Sequence, residues 1–233
     1  MVDASTPLSD ASVSPPLSAQ EFCRLAQTLY FTNGADREVV SDLYERTLNQ
    51  AMGSVHTLAL NRCGWTDEQL TSFASMLCLC TLLESLSFGR NVFSDAGVVA
   101  LAAAMSHNDV LPRLQSLALG RNTFGGIGLQ AIGKALGTGL SGLKKLWLDN
   151  CAFTSVDVAS FIEQLASADH PLAMKMLDLS GNQVDDAALH RLCAAHLNGK
   201  LPALRELKVQ NCDCTPEAAS AWEATPVTLI GVG

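Results

Sequence analysis

His190, Cys193 and His196 offer imidazole and thiol groups of the kind that bind zinc, and Cys212 with Cys214 offers a second pair. Their spacing argues against a metal. On a helix the trio spreads over about a third of the circumference, while Cys193 falls on the stripe that must face a core. Cys212 belongs to the turn after a strand, and Cys214 fills an apolar position. Catalysis finds no better footing. The 5 histidines show no periodic pairing with a serine or cysteine, and the acidic pairs lie at helix starts. Gly125-Gly126-Ile127-Gly128 opens a helix after a strand and is no phosphate loop. No catalytic residue, metal or cofactor is assigned, and the chain is not expected to be an enzyme.

Binding is the chemistry that remains. Trp147 is expected to project from a strand, exposing a large apolar surface of the type enriched at binding hot spots. The alternative is that it packs flat on Lys145 and Met176. Its neighbours in the same pattern are Lys145, Asp149, Met176, Asp178 and Lys208. Arg62, Arg90 and Arg121 occupy one equivalent position in three successive segments, as a ladder able to grip carboxylates or phosphates. The alternative is that solvated arginines were duplicated with the segments. Lys144, Lys175 and Arg205 lie at the opposite edge.

A sixfold repeat positions these residues. Aliphatic, two residues, aliphatic, one residue, aliphatic, two residues, then Asn or Cys returns at Val55, Leu83, Leu114, Leu143, Met174 and Leu204, spaced 28, 31, 29, 31 and 30 residues apart. Such a period defines a solenoid. Each frame alternates apolar and polar residues as a short strand does. Residues between the leucines project from the strand face: Ala59, Ser87, Ala118, Trp147, Asp178 and Lys208 in the middle column, with flanking columns beside them. The first three repeats offer small residues over which a partner can approach the backbone, and the last three offer large or charged ones.

Each repeat continues into a helix. Thr66, Ser94, Gly125, Thr154, Asp185 and Thr215 stand at the twelfth position, all of them N-capping types, with acidic residues following in most repeats. Columns through Leu70, Val98, Leu129, Val158, Leu189 and Ala219, and through Phe73, Leu101, Ile132, Phe161, Leu192 and Trp222, form the inward stripe. His196 breaks a column otherwise filled by Leu77, Met105, Leu136 and Leu165. Either the helix slips so that Leu197 fills the place, or a histidine is partly buried there. Val227 to Val232 is a closing strand or an irregular tail.

Residues 1–16, rich in Ser, Ala and Pro, read as a disordered leader. Residues 17–54 read as a helical cap, with a Ser18/Glu21 capping box and apolar residues at helical spacing through Phe22, Leu25, Ala26 and Leu29, then Val39, Val40, Leu43, Tyr44 and Leu48. The repeat domain covers 55–233, with a C-terminal cap from about 215.

With 48% apolar and 16% charged residues, the 233-residue chain is suited to a folded core. Its net charge of −8 argues against nonspecific binding to nucleic acid or anionic membranes. The six frames hold eight cations and four anions, a net +4, leaving −12 elsewhere. No apolar run approaches a membrane span, and the N-terminus lacks a secretory pattern. Of the 8 cysteines, several fall at core or turn positions of the repeat, which suits free thiols in the cytoplasm or nucleus.

The frame, its length, its helical second half, and segments such as Ser94-Asp95-Ala96-Gly97 and Leu111-Pro112-Arg113-Leu114 resemble leucine-rich repeats of the ribonuclease-inhibitor type over about 55–225. The resemblance implies an α/β solenoid of about six strand–helix repeats, with parallel strands on the concave face and helices on the convex face. It also implies a non-catalytic protein–protein interaction module, a scaffold or assembly subunit whose partner carries an acidic patch if the arginine ladder is used. The alternative is a regulator of an enzyme, either a small-GTPase activator or an inhibitor. Ribonuclease inhibitors have more repeats and an acidic binding surface, whereas these frames are net basic. Ran GTPase-activating proteins also have more repeats, and an acidic tail that this sequence lacks. Nothing in the sequence sets the oligomeric state.

Overall fold

A computed structural model describes residues 14–31, 33–107 and 110–232. Most of the expected leader, residues 1–13, lies outside them. Two helices come first, α1 (Ala19–Thr28) and α2 (Gly34–Gly53). Strands β1 (Thr57–Ala59), β2 (Ser85–Ser87), β3 (Ser116–Ala118), β4 (Lys145–Trp147), β5 (Met176–Asp178) and β6 (Glu206–Lys208) then alternate with helices. These are α3 (Asp67–Ala74), α4 (Asp95–Met105), α5 (Gly126–Leu136), α6 (Ser155–Ser167), α7 (Asp186–Leu197) and the short α8 (Pro216–Ala219). The closing segment is a strand, β7 (Thr228–Ile230).

All seven strands lie parallel in one sheet, in chain order. Their central leucines, Leu58, Leu86, Leu117, Leu146, Leu177, Leu207 and Leu229, stand in register and point into the core. The flanking residues of each strand point to the other face, as a period of two requires. Helices α3 to α7 pack successively on one another behind the sheet. Each of the four longest buries residues at i, i+3, i+4 and i+7: Val98/Leu101/Ala102/Met105, Leu129/Ile132/Gly133/Leu136, Val158/Phe161/Ile162/Leu165 and Leu189/Leu192/Cys193/His196. The result is a curved α/β solenoid.

His196 resolves the ambiguity in its column. It is buried, and Leu197 is exposed. The helix has not slipped. An imidazole is tolerated because Nδ1 lies 2.8 Å from the Leu201 carbonyl oxygen, so its polar edge has a partner.

Two ladders join the repeats at the end of each strand. Asn182 donates from Nδ2 to the carbonyls of Leu148 and Leu179 at 2.8 and 2.9 Å, and its Oδ1 accepts from the N–H groups of Cys151 and Phe153. Asn91 uses its amide in the same way, and the Asn122 amide bonds to both neighbouring turns. Cys151 and Cys212 fill the slot with a weaker Sγ contact to the preceding turn, at 3.7 Å to Leu119 O and 3.5 Å to Leu179 O. Below this line Trp65, Phe93, Phe124 and Phe153 form an aromatic spine that also meets Phe73 and Phe88.

The six expected N-cap residues are the N-caps of α3 to α8. The acid that follows a cap often serves the next repeat. Asp67 accepts from the N–H groups of Ser94 and Gly97, Asp95 from those of Gly125 and Gly128, and Asp186 from that of Thr215. At the other end the Ser18/Glu21 capping box is present, Phe22 stacks on Tyr44 at 3.9 Å, and Leu48 and Met52 join the core. Leu25, Leu29, Val39, Val40 and Leu43, expected to cover the end of the first repeat, are exposed instead. The hairpin of α1 and α2 meets the repeats through the far end of α2 and a 3.3 Å hydrogen bond from Ser72 Oγ to Glu21, and most of its apolar positions face outward.

Candidate functional site

The strand residues that point away from the helices floor a concave surface, and the turn after each strand rims it. The first residue of that turn falls in the left-handed region in every repeat: Arg62, Arg90, Arg121, Asn150, Gly181 and Asn211, with φ of 57°, 60°, 61°, 53°, 70° and 54°. Gly and Asn suit this conformation. Arginine does not, at a cost of about 1–2 kcal/mol per residue. The first three repeats thus place arginine where the backbone disfavours it.

All three arginines border one open cavity of about 520 Å³. Its floor holds Ser85, Ser87, Ser116 and Ala118, and its far wall is Trp147 and Asp149. Asp149 Oδ2 lies 3.1 Å from Arg121 Nε, an ion pair at the third rung. Arg62 and Arg90 are exposed and make no ion pair or side-chain hydrogen bond among the described residues. Trp147 is half-buried and stacks on no other ring among the described residues.

The nine expected binding residues separate into groups. Arg62, Arg90, Arg121, Trp147 and Asp149 share this cavity. Lys145 lies outside it, sharing with Trp147, Lys144 and Glu84 an adjoining cavity of about 250 Å³. Met176 and Asp178, expected to project, are buried at 6% and 9% exposure. Asp178 is in register between Trp147 and Lys208, and it accepts a 3.0 Å hydrogen bond from Ser180 N. Lys208 does not complete the charged surface either, because its Nζ lies 3.1 Å from Glu206 Oε1.

The open backbone expected over the first repeats is also closed. The Asn61 Oδ1 accepts from Gly89 N and Ser87 Oγ, both at 2.6 Å, so Asn61 lies across the Gly89 turn. Asp149 lies over Gly120, where a Cβ would collide with its carboxylate. These glycines make room for side chains of the same chain. Sequence reasoning did not select Asn61, Ser85, Ser87 or Ser116. The signal was their shared projecting columns, but small polar residues carried no distinguishing chemistry until Trp147 and the arginines enclosed them.

The cysteines hold no candidate metal. Among the described residues no group of three or more His, Cys, Asp or Glu is placed to hold an ion, and all eight thiols are free. Burial pushes the thiols of Cys80 and Cys151 up to about 11, which keeps them protonated and unreactive near neutral pH. Among the described residues no helix is long and apolar enough to cross a membrane.

The geometry is that of a strand–helix solenoid with a rimmed concave face. The comparisons agree. The Leucine Rich repeat family model matches residues 79–102 and 111–133. A NACHT, LRR and PYD domains-containing protein 9 from Bos taurus is 28% identical over 163 residues, 70% of this chain and 13% of that protein. The chain therefore spans only a small part of that relative's length. The solved structure of leiomodin-1 actin-binding site 2 matches with a TM-score of 0.50 and 16% identity, over 66% of this chain and 87% of that one. The yeast Rad7 and Elc1 complex includes a chain matching with a TM-score of 0.51 and 17% identity, over 80% of this chain and 44% of that one. Fold and comparisons together show a leucine-rich repeat solenoid.

Proposed function

We propose that this protein is a non-catalytic interaction module, a scaffold or assembly subunit, which binds a partner protein on its concave face at the cavity between the arginine column and Trp147. One observation carries the reading. Three arginines in an unfavourable backbone conformation line one cavity with a half-exposed tryptophan, and two of them, Arg62 and Arg90, make no ion pair or side-chain hydrogen bond among the described residues. The two structural matches support it at the level of fold, since one is an actin-binding site and the other belongs to a protein complex. We read residues 17–54 as the N-terminal cap, the segment from about 215 as the C-terminal cap, and the repeats as the ribonuclease-inhibitor type. The free thiols favour a reducing compartment, the cytoplasm or nucleus.

Affinity capture with wild-type and Trp147→Ala chains, read by quantitative mass spectrometry, tests this function. A specific partner should be lost from the variant, because removing a hot-spot tryptophan costs on the order of 2 kcal/mol or more in affinity. A folded Trp147→Ala chain that captures its partner undiminished would sink the assignment. The second reading, an enzyme regulator, would gain if that partner were a GTPase or a nuclease whose rate changed on binding.

A further inference from the structure

Arg62 and Arg90 are the two rungs of the arginine column without a carboxylate partner. They share the left-handed backbone of Arg121 and the same cavity. The third rung shows what the column can hold, since Asp149 sets a carboxylate 3.1 Å from Arg121 Nε. We propose that Arg62 and Arg90 form a two-rung carboxylate clamp for an acidic segment of a partner protein. Its two acidic side chains take the places on these rungs that Asp149 takes on the third. This inference rests on the reading of the concave face as a protein-binding surface and adds the chemistry of the bound segment.

The geometry suits paired acids. Adjacent parallel strands lie about 4.8 Å apart, which sets the spacing of the rungs. Acidic residues three or four apart on a helix are about 5–6 Å apart, so one turn of helix offers two carboxylates to two arginines. Guanidinium groups bind carboxylates through paired N–H donors, which rewards this match. The floor of Ser85, Ser116 and Ala118 leaves room beside the clamp, and Trp147 closes the far side for an apolar side chain next to the acids.

Charge favours a short acidic segment over a nucleic acid. The ladder spans three repeats only, and its third rung is neutralised internally. Beyond it no further arginine rung follows, since the turn position holds Asn150, Gly181 and Asn211, and outside the six frames the chain carries a net −12. A nucleic acid strand continuing past two free arginines meets repulsion.

The test uses the whole chain and a phage-displayed library of random peptides roughly 12 residues long. Selected peptides, fluorescein-labelled, are titrated against wild type, Trp147→Ala, Arg62→Ala/Arg90→Ala and Arg62→Asn/Arg90→Asn. The Asn pair keeps residues native to this turn position in other repeats, so loss of folding cannot imitate loss of the clamp. Selected peptides should carry two acidic residues on one face. They should weaken about tenfold or more in both arginine variants, on Gln replacement of the acids, and between about 50 and about 300 mM NaCl. Enrichment without acidic pairs overturns the clamp. So do peptides that need Trp147 yet bind the arginine variants as wild type, an outcome that leaves the concave-face reading standing. Equal binding to every variant overturns both. Tighter binding of a uridine decanucleotide, lost in the same arginine variants, overturns a protein as the occupant.

Discussion

The carboxylate of Asp95, at the start of α4, accepts hydrogen bonds from the N–H groups of Gly125 and Gly128 at 2.8 and 2.7 Å, and so caps the helix of the following repeat. Gly125 is the N-cap of α5 and has no side chain to do this itself. The cap therefore adds to the apolar packing, sheet hydrogen bonds and Asn122 side-chain bonds that join these two repeats. Asp95→Ala should destabilise the protein by about 1–2 kcal/mol, measured by urea unfolding. Adding Gly125→Ser should restore about half of that loss, because the backbone there is extended and the serine regains an N-cap acceptor. In the wild type the same serine should add little, since Asp95 already fills the role. A double variant no more stable than Asp95→Ala would show that the hydrogen bonds contribute nothing as a cap.

Asn182 makes a second kind of joint. It satisfies two buried N–H groups and two buried carbonyls at once, from two repeats. Asn182→Ala leaves those groups without water or a partner, and the expected loss is about 2–4 kcal/mol, with a fall in Tm of about 2–4 °C for each kcal/mol. Asn122→Cys should be milder than Asn122→Ala. A thiol at this slot in Cys151 still reaches the preceding turn. Equal costs for the two Asn122 variants would contradict that reading of the cysteine slot.

These joints also show where the sequence was legible. Caps, strands and helix stripes follow from local residue types in fixed columns, so the repeat could be aligned and its N-caps named before any coordinates. Contacts between columns were less accessible. Asp178 and Met176 alternate outward in their strand as Trp147 does, yet they are buried between their neighbours in the adjacent strands. The same applies to Gly89 and Gly120, which read as open backbone until Asn61 and Asp149 lie across them. The arginine column was visible as a spacing. Its left-handed backbone, which argues that the side chains matter, was visible only in three dimensions.

The thiols should report the same packing through pH. Cys80 and Cys151 are raised by burial from 9.0 to about 11, so the folded state holds protons that the unfolded chain has released between those values. Stability from these two groups is intact below about pH 9 and is lost as pH rises toward about 11. Unfolding midpoints measured across this range should fall, and Cys151→Ser should flatten the fall. At pH 8 a maleimide should label exposed Cys78 in the native protein well before Cys80 or Cys151. Labelling of Cys151 at the rate of Cys78 would contradict its burial.

If the arginine column binds as proposed, it sets stability against binding, and Arg90→Asn tests that opposition. Arg90 has φ of 60° and no side-chain partner among the described residues that would offset its strain, while Asn150 and Asn211 occupy the same turn position in later repeats. Asparagine tolerates the left-handed region through its short polar side chain. Replacing Arg90 should therefore stabilise the fold, by about 0.5–1 kcal/mol, as relief of local strain commonly does. Arg62→Asn should act alike and add to it, to the extent that the two turns relax independently. Arg121→Asn should gain less, because it also breaks the ion pair with Asp149 and frees that carboxylate over Gly120. Urea denaturation of the three single variants gives the order. If Arg90→Asn destabilises the chain instead, its side chain is holding the fold together, and the backbone strain no longer points to a surface kept for a partner.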